Sequence, residues 1–367
     1  MASPGDRART RTEVAFLAGA FTASVVFLAV LVALVAEVGP RIVRDRVFGQ
    51  TPIELPPELL EELTALGAVV DNADNPTGAS EHDTILVRPH PELVYELRPG
   101  ARIDAWQMPA EDALNIDPPV VYLPGGARLS DALRAYLETH GRRFYRYEVG
   151  PEGRRRTLPE VRAEAKILMV GDSALFGIGV DDEHTIASWL QQLVGEGVEV
   201  VNAGVGGYDA ARALAVARSL SDPPSQPYRA LVYVAHHNDF EDEDDYSVAL
   251  ARSVAHELAG MADRFPDGVV LATVPYMEWV SRNLWQEYGH KPGRIETSEI
   301  LWRELPEIVR DVGLGFVDGA ALLEARVKAE GSVFAPLALY ADHGHLSPRG
   351  NRLLAERIHE ALASARP

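Results

Sequence analysis

From Lys166 onward the sequence keeps a rhythm that few folds can satisfy. Short runs that read as buried strands, ILMV at 167–170, VEVVN at 198–202, ALVYVA at 230–235, GVVLATV at 268–274 and GFVD at 315–318, are separated by helical stretches of ten or more residues. That alternation predicts an α/β domain built on a parallel sheet with helices on both faces. In such sheets ligand sites gather at the carboxyl ends of the strands. The last helix, expected after Pro348, carries Leu353, Leu354, Ile358, Ala361 and Leu362 on one face, which is the face to lay on the sheet.

The chain of 367 residues, 47% hydrophobic and 24% charged, is long enough for one large or two modest domains with a real core. A formal net charge of −19 would repel phosphates, so nucleic acid is set aside as a partner. With no cysteine, disulfides, thiolate catalysis and cysteine-based zinc sites are excluded.

Three regions differ in texture: 1–46, 47–165 and 166–367. In the first, Val14 to Ala36 runs without a charge, about the ~20 residues that cross ~30 Å of hydrocarbon. This predicts a single-pass membrane helix, with the membrane as a partner through residues 14–36. A cleaved secretory signal has a shorter apolar region, roughly 7–15 residues, and a small-residue cleavage site that LVALVAEVG supplies poorly. Arg7, Arg9 and Arg11 before the span balance Arg41, Arg44 and Arg46 after it. The short N-terminal tail then favours a catalytic domain on the extracytoplasmic side. Residues 47–165 are proline-rich and read as a stalk with a small accessory module, with helices at Pro57–Leu66 and Leu129–His140 and isolated strands at Ile85–Val87 and Val120–Leu123. The strongly charged tract from Arg142 to Arg162 reads as a solvated loop or linker.

The chemistry-bearing residues follow the strands. Gly171-Asp172-Ser173 ends the first apolar run, NAGVGGYDA the second and AHHNDF the third, and ADHGHLSPRGN precedes the last helix. A hydroxyl needs an imidazole to take its proton and a carboxylate to hold that imidazole in the right tautomer. Ser173, His345 and Asp342 can fill those three roles, and Asp342 and His345 lie close enough for one tight loop to present both. A serine after a strand is by itself more often a helix cap. The glycines of NAGVGGYDA miss the dinucleotide pattern G-x-G-x-x-G, because the sixth position from Gly204 is Asp209. They suit a turn in which Gly207 offers its N–H to a developing oxyanion. The Asn238 amide can serve the same oxygen, unless it is an ordinary turn residue.

GDSALFGIGV, NAGVGGY, HHND and DHGHLSPRGN resemble, in order, blocks I, II, III and V of the SGNH/GDSL hydrolases, over about residues 166 to 365. HPELVYELRPGARIDAW and GPEGRRR resemble the upstream region of membrane-anchored bacterial members. The resemblance implies a three-layer α/β/α, flavodoxin-like domain with a five-stranded parallel sheet, here preceded by a transmembrane helix and a small accessory region. It implies Ser173 as nucleophile and as oxyanion donor through its own N–H, Gly207 and Asn238 as the other donors, and His345 and Asp342 as base and partner. No cofactor or metal is implied. His236 stands where the family often has glycine, and Leu175 stands where G-x-S-x-G would need its last glycine. The expected activity is serine esterase hydrolysis, most of all of short O-acetyl esters on carbohydrate or cell-envelope substrates. The alternatives are an O-acyltransferase working with envelope polysaccharide machinery and a non-catalytic polysaccharide-binding envelope protein. A metal-dependent phosphoesterase built on His236, His237, Asp239, His343 and His345 is a further rival, but Asp172 has no acidic partner four residues on.

Overall fold

The computed structural model describes residues 55–71, 86–108, 120–141, 143–222, 228–242, 245–280, 292–331 and 335–364. The first six strands are β1 (Val69–Asp71), β2 (Val87–His90), β3 (Val94–Leu97), β4 (Arg102–Gln107), β5 (Val120–Pro124) and β6 (Arg143–Glu148). Strands β1, β5, β4 and β6 pair antiparallel in that order, while β2 and β3 form a hairpin of their own. Side chains alternate between the faces of a strand, so each strand of the larger sheet serves two environments. On one face Val121 and Leu123 meet Leu59, Leu63, Leu133 and Leu137. Those leucines lie four residues apart on the helices Pro57–Ala65 and Asp131–His140, which puts each pair on one stripe. The Ser130 hydroxyl starts the second helix by accepting the Leu133 N–H at 3.1 Å. On the opposite face, Ile103, Ala105, Tyr145 and Tyr147 join the same apolar cluster as Leu168, Phe176 and Tyr208.

Both helices expected in this region are present, and the strand expected at Val120–Leu123 is β5, paired on both sides; of the strand expected at Ile85–Val87, Ile85 lies outside the described residues and only Val87 falls in a strand, β2. The charged tract differs from expectation. Residues 143–148 form β6, whose tyrosines point inward while its arginines point outward, and Arg155 is only 2% exposed.

All five apolar runs from Lys166 onward are strands: β7 (Lys166–Gly171), β8 (Glu199–Gly204), β9 (Tyr228–His236) and, after a two-residue hairpin of β10 (Glu241–Asp242) and β11 (Asp245–Tyr246), β12 (Val269–Val274) and β13 (Gly315–Val317). They form one sheet in the order β13-β12-β9-β7-β8, parallel throughout. This is a doubly wound order, with the second strand on one side of the first and the third on the other. Both faces are covered, which is why the runs are apolar without a break. Leu168, Val170, Leu231, Tyr233 and Leu271 pack on one side, and Ile167, Met169, Val232, Val234, Val270 and Ala272 on the other. The final helix, Pro348–Ser364, buries Leu354, Ile358 and Leu362 at intervals of four against the second face.

One part of the expected architecture is corrected. The membrane helix expected at residues 14–36 lies outside the described residues, and among the described residues no helix is long and apolar enough to cross a membrane. The long helix Pro292–Asp311 carries Glu299, Arg303, Glu304, Glu307, Arg310 and Asp311, and such charges are costly in hydrocarbon. The α/β domain with its five-stranded parallel sheet is present without an observed preceding span. The membrane-anchored form of the family resemblance, the membrane as a partner and the single-pass localisation therefore have no structural footing and are set aside.

Candidate active site

The switch point of the sheet lies at the end of β7, between β8 and β9, and Ser173 follows there. The chain turns at once from β7 into the one-turn helix Ser173–Phe176. A Cβ on Gly171 would stand 2.5 Å from the Val234 carbonyl oxygen of β9, so only glycine allows this close passage. Asp172 caps the turn, its Oδ1 accepting the Ala174 N–H at 2.9 Å. The buried Asn202 ties it to β8 by donating from Nδ2 to the Leu175 carbonyl at 3.0 Å and accepting the Gly204 N–H at 3.0 Å. Ser173 occupies the first helical position, where a backbone N–H has no intrahelical acceptor.

His345 and Asp342 sit in a loop closed by a bridge between Tyr340 and Leu346 and by the Ala341 N–H donating to the His345 carbonyl at 2.7 Å. Inside it, Asp342 Oδ1 accepts the N–H groups of Gly344 at 2.8 Å and His345 at 2.7 Å. The same carboxylate holds the His345 Nδ1 at 2.7 Å through Oδ2. The other ring nitrogen, Nε2, lies 2.9 Å from Ser173 Oγ. A carboxylate can only accept, so Nδ1 carries the proton and Nε2 is left as the acceptor for the serine hydroxyl.

Electrostatics support this assignment of protons. Burial by itself would raise the Asp342 carboxyl and lower the His345 imidazole. Their mutual attraction and hydrogen bonding outweigh it, holding Asp342 below the usual carboxylate range and His345 above its ordinary value. Asp172 adds to the rise of His345 through its negative charge.

A second imidazole and carboxylate stand beside the first pair. His236 Nδ1 lies 3.2 Å from Asp172 Oδ2, and that oxygen is 3.4 Å from Ser173 Oγ. The His236 ring stacks on His345 with centroids 5.9 Å apart and meets the Tyr276 ring edge-on at 4.9 Å. Burial raises the Asp172 carboxyl, but the His236 ring and the Ala174 N–H more than offset this, and the net direction is downward. Burial and the neighbouring Asp172 push Asp239 well above the carboxylate range, while its Oδ2 accepts the His236 N–H at 2.9 Å. Two buried carboxyls are thus driven apart, one toward the ionised and one toward the protonated form.

Of the remaining candidates, Gly207 takes φ +74 in the turn after β8, a left-handed conformation suited to glycine. A Cβ on its neighbour Gly206 would stand 4.0 Å from Ser173 Cβ, so this turn borders the serine. Asn238 lies in the short 3-10 turn after β9, its Oδ1 buried with no hydrogen-bond partner among the described residues. No direct bond joins Asn238 to Ser173 among the described residues. Among the described residues there is also no group of three His, Asp or Glu side chains that could hold a metal ion. The pairing of Asp172 with His236 was not foreseen from the motifs. Its sequence signal is an acid directly before the serine and a histidine ending the neighbouring strand.

No family model matches the chain, and no curated protein matches it. Solved structures to which the chain is similar include a carbohydrate acetylesterase family member from Sinorhizobium meliloti, 15% identical, with a TM-score of 0.40 over 55% of this chain and 99% of the other. A member of the lipolytic protein G-D-S-L family from Veillonella parvula is 16% identical, with a TM-score of 0.39 over 53% and 97%. An acetylxylan esterase from Geobacillus stearothermophilus is 20% identical, with a TM-score of 0.41 over 54% and 93%. Likeness of this order says nothing about activity, and the chemistry is read from the geometry.

Proposed function

We propose that this chain is a serine hydrolase acting on small carboxylic esters, with Ser173 as nucleophile, His345 as general base and Asp342 as its orienting carboxylate. The observation that carries this reading is the hydrogen-bonded relay from Ser173 Oγ through His345, 2.9 Å on one side and 2.7 Å on the other. Ser173 Oγ attacks the ester carbonyl as His345 Nε2 takes its proton, and Asp342 stabilises the imidazolium. The N–H groups of Ser173 and Gly207 hold the oxyanion, joined by the NH2 of the Asn238 amide. Each donor is worth on the order of 2–4 kcal/mol of barrier. Collapse of the tetrahedral adduct breaks the bond to the alkoxy oxygen, and His345 returns the proton to the leaving alcohol. Water then attacks the acyl-enzyme by the same relay, releasing the acid and restoring Ser173.

Short O-acyl esters of carbohydrate are the finer form of this reading and rest on the resemblance of the four sequence blocks. The test compares the purified chain with Ser173→Ala on p-nitrophenyl acetate and on acetylated sugars, alongside labelling by a fluorophosphonate. Turnover and labelling that both vanish in Ser173→Ala are expected. Equal rates in the two proteins would sink the reading, and turnover of the p-nitrophenyl ester alone would remove the carbohydrate refinement.

A further inference from the structure

Gly206 and Gly207 share one peptide group, and in a planar trans peptide the carbonyl and the N–H point in opposite directions. The carbonyl end is taken: Tyr95 Oη donates to the Gly206 oxygen at 2.9 Å. The Gly207 N–H, at the other end, has no acceptor among the described residues. With glycine on both sides and φ +74 at Gly207, no side chain within the turn restrains this peptide plane. The Tyr208 N–H donates to the Val205 carbonyl at 3.2 Å and ties the ends of the turn, but the direction of the central peptide is left to a contact from outside.

Tyr95 is built to be that contact. It is 8% exposed, its ring meets Tyr208 at 5.3 Å, and Tyr208 Oη donates to the Tyr95 carbonyl at 2.6 Å. The hairpin ahead of it is closed by His90 Nδ1, which accepts the N–H groups of Glu92 at 3.2 Å and Leu93 at 3.0 Å. Val94, a residue 61% exposed, then enters β3 at φ +68, a costly conformation for a β-branched side chain. Packing of Val94 itself does not explain that turn. Tyr95 follows it directly in β3.

We propose that Tyr95 is a positioning residue for the oxyanion hole: its hydroxyl fixes the Gly206–Gly207 peptide so that the Gly207 N–H faces the carbonyl oxygen of an ester held at Ser173. This rests on the esterase reading above. Tyr95 touches no reacting atom and moves no proton, and it makes the β2–β3 hairpin a working part of the site.

The test is Tyr95→Phe in the full chain, which keeps the ring and deletes the hydroxyl. The kcat on p-nitrophenyl acetate should fall roughly 10- to 100-fold, with KM within about twofold. Amide hydrogen exchange across 204–208 should speed up, while the rest of the parallel sheet stays protected. A kcat within twofold of the parent's overturns the proposal, even if the unfolding midpoint drops, and so does unchanged exchange at 204–208. Should Tyr95→Phe not fold, Tyr208→Phe replaces it, with a smaller loss confined to kcat expected and an unaltered kcat overturning the proposal. If the parent chain shows no Ser173-dependent turnover, the esterase reading has failed on its own. Exchange at 204–208 then decides whether Tyr95 holds the turn.

Discussion

The parallel and antiparallel sheets contribute unlike things to one site. The parallel domain supplies the groups that meet at Ser173, each from a loop at a strand end or ahead of the last helix. The antiparallel sheet and the segment after it supply contacts that hold those loops. Tyr147 Oη accepts the Gly179 N–H at 2.9 Å, just beyond the serine helix. The Arg155 guanidinium lies 4.4 Å from the Tyr147 ring and 4.6 Å from that of Phe176, which belongs to the serine helix itself. Its Nε is 2.7 Å from Asp182 Oδ1, and another of its nitrogens donates to the Val180 carbonyl at 3.1 Å. A region whose sequence carries no catalytic motif can therefore decide where catalytic groups point, because a loop has no rigidity of its own and takes it from what it is packed against.

The largest effect is expected from the chemical groups of the parallel domain. Asp342→Asn keeps the shape of the side chain but lets Nδ1 of His345 accept rather than donate, which favours the wrong tautomer. A fall in kcat of roughly ten-thousand-fold is expected, measured on p-nitrophenyl acetate. A rate close to the parent's would mean that the relay at Ser173 is not the working one.

On the supporting side, Arg155→Met should cost about 3–5 kcal/mol, because it strips the buried Asp182 of its partner. Denaturant unfolding measures this. A loss below about 1 kcal/mol would show that the antiparallel region does not brace the serine loop through Arg155.

The third effect is a displacement in pH. His345 acts as a base only when neutral, so activity is lost as the pH falls through its pKa, which is held above the ordinary histidine value. The acid limb of kcat/KM should lie correspondingly high. Asp172→Asn removes one negative charge that holds it there and should move the limb toward lower pH; a limb that stays in place would count against Asp172 acting through charge. The smallest effect is expected next to the second largest. Arg156 pairs with Glu148 and Glu160 at the surface, its side chain 37% exposed, so Arg156→Ala should cost under about 1 kcal/mol.

Legibility in the sequence followed the same division. The five parallel strands could be read because a strand covered on both faces needs an unbroken apolar run. The relay was legible as residue types, since Asp342 and His345 share one loop and Ser173 ends one of those runs. Strand β6, RFYRYE, hides its alternation behind arginines and a glutamate, so its charge reads as a linker while its tyrosines are core. Arg155 is hidden more deeply, because nothing in GPEGRRR distinguishes the buried arginine from its half-buried neighbours. What separates them is the aromatic slot between Tyr147 and Phe176.

A parallel sheet covered by helices on both faces, and the chemical types gathered at Ser173, His345 and Asp342, can be read from the chain alone, because periodicity and short motifs are local properties. The pairing of Asp172 with His236, the burial of Arg155 and the grip of Tyr95 on the Gly206 carbonyl exist only in the folded molecule. Those are contacts between residues distant in sequence: the first pair is set by the register of β7 beside β9, and the other two by how the segments before Lys166 pack against the parallel domain.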